Sequence, residues 1–330
     1  MGSVHGRSDL SRHYGPKSLG GGYGFATEGP ASVQDIPLDD QLETSIDRRV
    51  GALSLGEGDR RDLQELKDQV RASLSRGLAV ERVNVVGSFS KETQIRDEEG
   101  NDIDLQVTLR RDLLDGWLDQ ENGPRNCLTK VRSVLSQDPR YSDVEIRVDR
   151  NAVRAKFGDK VVDIVPVFRE GGDVLIPDTK GGQSWIRSNP RLSKRLLDLA
   201  DLNHRGRVKP IVKLVKDWNN RHGRRLSSYQ IEAMVLRHFH EKPAGGTPSY
   251  LADLTELFGH LPWYLRKGSI RDPVDDSPLD THLSPEDRSR LVRLTRREGR
   301  RLREAEWHAR HGRSQRAARL VGVVIGDIDG

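Results

Sequence analysis

The sequence predicts an α+β fold in two halves: a mixed sheet first, a mainly α-helical half after it, and a cleft between them. Three observations carry this expectation. Asp102-Ile103-Asp104-Leu105-Gln106-Val107 alternates polar and apolar side chains with the period of a half-buried strand. Three apolar runs, Val144 to Val148, Val153 to Phe157 and Val161 to Val167, follow one another across short polar turns and read as a meander. From Trp185 onward the pattern is helical, with Ile211, Leu214, Val215 and Trp218 at i, i+3, i+4 and i+7.

Residues 1 to about 45 are rich in Gly, Ser and Pro, include Gly20-Gly21-Gly22 and lack a sustained period, which predicts a flexible extension. Leu63, Leu66, Val70 and Leu74 then form a helical stripe that would pack on the sheet. Val83 to Val86 make a short strand ending at Gly87-Ser88, and the polar loop Arg96 to Asn101 leads into the aspartate strand. A helix is expected over Pro124 to Leu135, and Asp149-Arg150-Asn151 and Gly158-Asp159-Lys160 are the turns of the meander. Asp163 therefore lies on a strand able to neighbour the one carrying Asp102 and Asp104. Farther on, Ile231, Val235 and Phe239 line a helix beginning near Ser227, and Ser284-Pro285-Glu286-Asp287 opens a long Arg-rich helix. The expected division is an extension over 1–45, a catalytic core over 46–184, a helical nucleotide-binding domain over 185–318 and a tail over 319–330.

The 330 residues can bury a substantial core. Apolar residues make up 34% and charged residues 32%, with a formal net charge of +5, a balance compatible with anionic substrates such as nucleotides. Cys127 is the sole cysteine, which excludes an intramolecular disulfide and a multi-cysteine zinc site. No apolar run approaches membrane-spanning length, and the first residues carry neither a signal-peptide core nor a myristoylation pattern, so a cytoplasmic protein without a membrane partner is expected.

Alternate residues of a strand share a face, so Asp102 and Asp104 project together with Cα atoms roughly 7 Å apart. Ile103, Leu105, Val107 and Leu109 anchor the opposite face. Carboxylates this close repel unless protons or cations neutralise them. Hard oxygen ligands suit Mg²⁺, with Mn²⁺ an alternative, especially when substrate phosphates complete the shell. Two such ions can stabilise both the attacking and the leaving oxygen of a phosphoryl displacement. An isolated Asp-x-Asp strand is more often a solvated face. Asp163 changes the balance, because it sits among Val161, Val162, Ile164 and Val165 and a carboxylate there needs a basic partner or a metal. Of the two, the metal is the favoured reading. Gly87 permits close backbone approach at its turn. Ser88, placed where a helix begins, offers a hydroxyl and backbone N–H groups for phosphate oxygens.

The order Gly87-Ser88, Asp102-x-Asp104, Asp163 resembles the polymerase-β type nucleotidyltransferase superfamily. Trp185-Ile186-Arg187-Ser188-Asn189-Pro190, the segment Lys209 to Asn219 and Leu226-Ser227-Ser228-Tyr229-Gln230-Ile231-Glu232 narrow the likeness. They resemble the CD-NTases of CBASS anti-phage systems, bacterial relatives of cyclic GMP–AMP synthase and oligoadenylate synthase, over about residues 50 to 310. The resemblance implies an enzyme that joins nucleoside triphosphates, ATP among them, into a cyclic oligonucleotide that activates an effector. It implies that Asp102, Asp104 and Asp163 hold two Mg²⁺ ions and that Asp163 helps take the acceptor hydroxyl's proton. Gly87 and Ser88 would cradle the β- and γ-phosphates, while Lys216 and Ser228 would grip the triphosphate from the helical half. Pyrophosphate would leave.

Each role has a plainer counterpart. Lys209, Lys213 and Lys216 fall opposite the apolar stripe of their helix, where lysines ordinarily face water. Ser227 and Gln230 fit a capping box, and Tyr229 can stack on a base or pack in the core. Gln94 and Ile95 can pack rather than act, and Asp272-Pro273-Val274-Asp275 resembles a family segment near the base without the asparagine often found soon after it. The Arg-rich helix from Arg288 to Arg303 suits either nucleic-acid phosphates or water. Gly330 resembles the C-terminus through which some relatives are joined to a ubiquitin-like conjugation apparatus. The competing functions are a template-independent terminal nucleotidyltransferase acting on RNA or protein, and an inactive nucleotide-binding module.

Overall fold

The computed structural model describes residues 40–96, 102–158, 160–179, 184–243, 249–266 and 270–328. Helix α1 (Asp40–Leu53) begins within the stretch expected to be an extension. Its Leu42, Ile46, Val50 and Leu53 recur at helical spacing and are buried, so apolar periodicity takes over from the Gly- and Ser-rich composition six residues earlier than expected. Helix α2 (Glu57–Leu74) starts where the Gly56 N–H donates to the Asp59 carboxylate at 2.8 Å, and it buries Leu63, Val70 and Leu74.

The sheet is built from β1 (Val80–Val85), β2 (Asp102–Leu109), β3 (Glu145–Asp149), β4 (Ala152–Phe157) and β5 (Lys160–Glu170), in the order β1-β2-β5-β4-β3. Strands β3, β4 and β5 form the antiparallel meander. β2 and β5 run parallel, while β1 pairs antiparallel with β2. A parallel pair needs a crossover. It contains α4 (Arg111–Leu118) and α5 (Gly123–Ser136), and α5 buries Cys127, Leu128, Val131 and Leu135. The two meander turns are made by Arg150 at φ 43° and Gly158 at φ 62°, both in the left-handed region. Between β1 and the aspartate strand, the short helix α3 (Gly87–Ser90) turns the chain.

The helical pattern expected from Trp185 starts later. The far end of β5 pairs with β6 (Asp173–Asp178), which pairs with β7 (Ser184–Ser188), so Trp185 and Ile186 belong to a hairpin. Asn189 then caps α6 (Pro190–Asn203), its side-chain oxygen accepting from the Leu192 N–H at 2.9 Å. The helices α7 (Val208–Arg221), α8 (Ser228–Glu241), α9 (Tyr250–Arg266), α10 (Pro285–Arg310) and α11 (Ser314–Ile325) complete the order. Ser284 caps α10 as its sequence predicts, accepting from the Asp287 N–H.

Two hydrophobic cores result. One joins the sheet to α2 and α5 through residues such as Leu74, Leu105, Leu128 and Ile164. The other gathers the helices of the second half around Val215, Trp218, Phe239 and Phe258, and it includes Ile46 and Val50 of α1. Helix α1 thus precedes the sheet in sequence and packs with the helical body. The stretch expected to be a tail from 319 is also core: Val321, Val324, Ile325 and Ile328 are buried. Arg49 and Arg221 donate to the Ile325 and Val324 carbonyls and hold its last turn. Gly330 and residues 1–39 lie outside the described residues. Among the described residues, no helix is long and apolar enough to cross a membrane.

Candidate active site

Register brings the acidic residues together. Asp104 on β2 lies directly opposite Asp163 on the parallel strand β5, and both line a cleft of about 390 Å³. β2 begins at Asp102, opposite Val161; the side chain of Asp102 lies outside the described residues. Among the described residues no group of three or more His, Cys, Asp or Glu converges as metal ligands.

Gly87 lies against the Asp104 carboxylate. Its φ of +65° is left-handed, and a Cβ built there would stand 2.1 Å from Asp104 Oδ2. Only glycine leaves room for the carboxylate at this turn. The strand cannot retreat, because the Val86 N–H donates to the Asp104 carbonyl at 2.9 Å and extends the β1–β2 ladder.

Asp163 has the basic partner that was the less favoured reading of the sequence. Arg154 on β4 is its cross-strand neighbour and grips it with two hydrogen bonds, Nε to Oδ1 at 2.8 Å and Nη2 to Oδ2 at 2.7 Å. The pair stands at the cleft rather than deep in the core, with side chains 31% and 16% exposed. A bidentate guanidinium therefore offsets the Asp163 charge in this state.

Lys216 does not face water, the plainer reading of the α7 lysines. Helix α7 is surrounded by other helices, and Lys216 is buried along with Val215, Asp217 and Trp218. Its ammonium donates to Ser88 Oγ and Glu232 Oε1 at 2.8 Å each and to Thr93 O and Oγ1 at 3.2 Å. An ammonium has three N–H bonds, so the protein already engages all of them. Lys216 here is a strut that fixes Ser88 from the helical side.

Glu232 on α8, to which the sequence reading gave no role, is the hub of this network. Its second oxygen accepts from Lys91 Nζ at 2.8 Å, and Thr93 Oγ1 donates to the first at 2.7 Å. Burial disfavours the Glu232 carboxylate, but the Lys216 and Lys91 charges outweigh it and hold its carboxyl at about 2. Burial pulls the Lys216 ammonium below its ordinary range against the attraction of Glu232. A glutamate one helical turn after Ser228 was visible in the sequence, but its partners come from α3, the segment after it and α7.

Lys91 continues the network into a second pocket of about 270 Å³, which shares Asp104 with the first. It donates to Ser193 Oγ at 2.9 Å and stands 4.7 Å from the centroid of the Tyr229 ring. Tyr229 is half-buried and donates to Asp272 Oδ1 at 3.0 Å, and burial pushes its phenol above the ordinary value. Tyr229, Asp272, Val274 and Asp275 all line this pocket. Ser227 makes the capping box with Gln230, its hydroxyl accepting from the Gln230 N–H at 3.2 Å, which leaves Ser228 exposed on the first pocket. Of the flanking residues, Gln94 lines the first pocket and Ile95 is buried in the helical core.

Comparison with known proteins agrees with this architecture. Residues 38–199 match the family model described as the Second Messenger Oligonucleotide or Dinucleotide Synthetase (SMODS) domain. A probable cyclic nucleotide synthase of Bacillus cereus (strain VD146) is 26% identical over 184 residues, 47% of this chain and 55% of that protein. The chain thus spans about half the length of that curated relative. The structure of CdnC from E. coli MS115-1 with ATP superposes with a TM-score of 0.67 at 16% identity, covering 87% of this chain and 98% of that one. The cyclic AMP-GMP synthase DncV of Vibrio cholerae, in complex with the linear intermediate pppA(3′,5′)pG, gives 0.59 at 15% identity over 92% of this chain and 82% of that one. Over residues 38–199, just under half of its length, the chain matches the SMODS, or CD-NTase, family.

Proposed function

We propose that the protein is a Mg²⁺-dependent nucleotidyltransferase that joins nucleoside triphosphates into a cyclic oligonucleotide messenger of anti-phage defence, releasing pyrophosphate with each bond. One observation carries the reading: two adjoining pockets share Asp104, and Asp163 stands beside it in register. Bond formation between two nucleotides needs an acceptor hydroxyl held against a donor phosphate, and a wall common to two pockets is where such groups would meet. That DncV holds a linear pppA(3′,5′)pG supports a route through linear intermediates, and CdnC with ATP supports ATP as a substrate.

The donor set fits a hard divalent ion. Two carboxylates face one cleft beside a turn whose missing Cβ leaves space for one of them. Asp104 and Asp163, with Asp102, would hold Mg²⁺. When bound, the ion supplies positive charge that acidifies a hydroxyl and offsets charge on phosphate.

The chain's own groups provide the rest. In the first pocket Ser88, Asn220, Ser227 and Ser228 present polar groups to a triphosphate, with Ser88 held in place by Lys216. In the second, Tyr229 and the 272–275 segment offer a ring and carboxylates to a nucleoside. Each oxygen of Asp163 accepts one hydrogen bond from Arg154, which lowers its basicity, so opening of this pair would help it take a proton from the acceptor. The product would act through an effector in the cytoplasm.

Incubation with the four nucleoside triphosphates and Mg²⁺, followed by mass spectrometry, tests the reading. Phosphatase-resistant cyclic products are expected, and Asp104→Asn should lower their yield by roughly 10²-fold or more without unfolding the protein. Elongated RNA or nucleotide-labelled protein in place of cyclic species would point to the terminal transferase.

A further inference from the structure

Three neighbouring strands place a row of charges across the sheet: Asp104 on β2, Asp163 on β5 and Arg154 on β4. Adjacent strands lie about 4.8 Å apart, so the two carboxylates are close enough to repel, and Arg154 sits on the outer side of Asp163. The guanidinium is held at two addresses. Nε and Nη2 engage Asp163, while Nη1 lies 3.3 Å from Asp149 Oδ2 at the end of β3. Asp149 is 44% exposed and Asp163 16%, so the inner carboxylate has the firmer, drier contact.

We infer that Arg154 is a resident counter-cation: it neutralises Asp163 while the site lacks a divalent ion, and passes to Asp149 when an ion takes its place. The arginine thereby positions Asp163 and sets how tightly the site takes up metal. This rests on the reading of the aspartates as metal ligands. The geometry favours exchange over simple coexistence, because a guanidinium cannot lose its charge and, bound to both Asp163 oxygens, would stand beside any cation taken up by their remaining lone pairs. Asp149 supplies the second berth, so the arginine need not be left without a partner after it lets go.

The test is Mn²⁺ binding, followed by the loss of the free-ion EPR signal, on the full chain without nucleotide. Removing the competing charge in Arg154→Met should tighten Mn²⁺ binding at least about tenfold, from the Coulomb energy between a unit and a double charge at this spacing. Asp149→Asn removes the second berth and should weaken binding roughly threefold or more. A packing role alone would not move the two variants in opposite directions. Unchanged or weaker Mn²⁺ binding in Arg154→Met overturns the proposal. Should that variant lack a cooperative unfolding transition, Asp149→Asn decides, and unchanged or tighter binding overturns it. Asp104→Asn separates the layers: if it binds Mn²⁺ as the parent does, the metal assignment itself fails, whereas if it alone loses the ion, only the role of Arg154 is wrong.

Discussion

Replacing Gly87 with alanine perturbs one backbone position and one carboxylate, and the two effects can be measured apart. At φ +65° an L-residue with a Cβ costs roughly 1–2 kcal/mol. The new methyl would also stand 2.1 Å from Asp104 Oδ2, more than 1 Å inside the ordinary contact range that begins at 3.4 Å. Since the Asp104 backbone is fixed between β1 and β5, the carboxylate must rotate out of position. Misplacing a reacting group by about 1 Å costs on the order of 10²-fold in rate. Gly171 is the control: its φ of +62° carries the same backbone strain, yet no atom lies within 4 Å of a Cβ there. Urea unfolding should show similar losses of about 1–2 kcal/mol for Gly87→Ala and Gly171→Ala, while product formation falls only in Gly87→Ala. Equal turnover in the two variants would refute the link between this glycine and the Asp104 carboxylate.

Glu232→Gln keeps the shape of the network but strips the counter-charge from two buried ammonium groups. Urea unfolding at neutral pH should show a loss of about 3–5 kcal/mol. Because the Glu232 carboxyl is held at about 2 against an ordinary 4.5, its stabilising contribution is complete above about 4.5 and fades as pH falls toward 2. Acid unfolding of the variant should therefore be flatter across that window. His238 works in the opposite sense: burial, and then the neighbouring His260, bring its imidazole from 6.5 down to about 4. The unfolded chain takes up a proton that the folded chain refuses, so stability should fall as pH drops from about 6.5 to about 4, by up to about 3 kcal/mol. His238→Asn should lose that part of the pH dependence in urea titrations at pH 7.5 and 5; an unchanged slope would show that the ring is not the group responsible.

Local features were legible in the sequence wherever one element decides them. The period of two around Asp102 and Asp104, the meander, the capping box at Ser227 and the serine cap at Ser284 need only near neighbours, and each is present. Features set by pairing between distant segments were harder to read. Pro177 within β6 and the polar end of β7 hid a short hairpin, since strand propensity there yields to cross-strand packing. The stripe of α7 leaves Lys216 open to a solvated reading beside its role toward a triphosphate, whereas neighbours on several sides bury α7. Glu232 and Arg154 were ordinary residues in sequence. Each gains its meaning from partners on other elements: Glu232 bonds Lys91 and Lys216 from 141 and 16 positions away, and Arg154 is set by strand register. The apolar end of the chain read as a tail because nothing local shows that α11 packs with α1 and α7.

Helix α1 belongs to the helical core although α2, which follows it after Ser54, Leu55 and Gly56, belongs to the sheet core. The chain leaves the sheet again after β7, at Asn189, and enters α6. The two bodies that flank the cleft are therefore joined by these two passages and, between β1 and β2, by the segment around Ile95, which enters the helical core. Bodies tied at several points along the sequence cannot slide freely past one another. Widening of the cleft to admit a nucleotide is restrained accordingly. Stiffening either passage, for example with proline at Leu55, should slow entry to the cleft while leaving the chemistry within it unaltered.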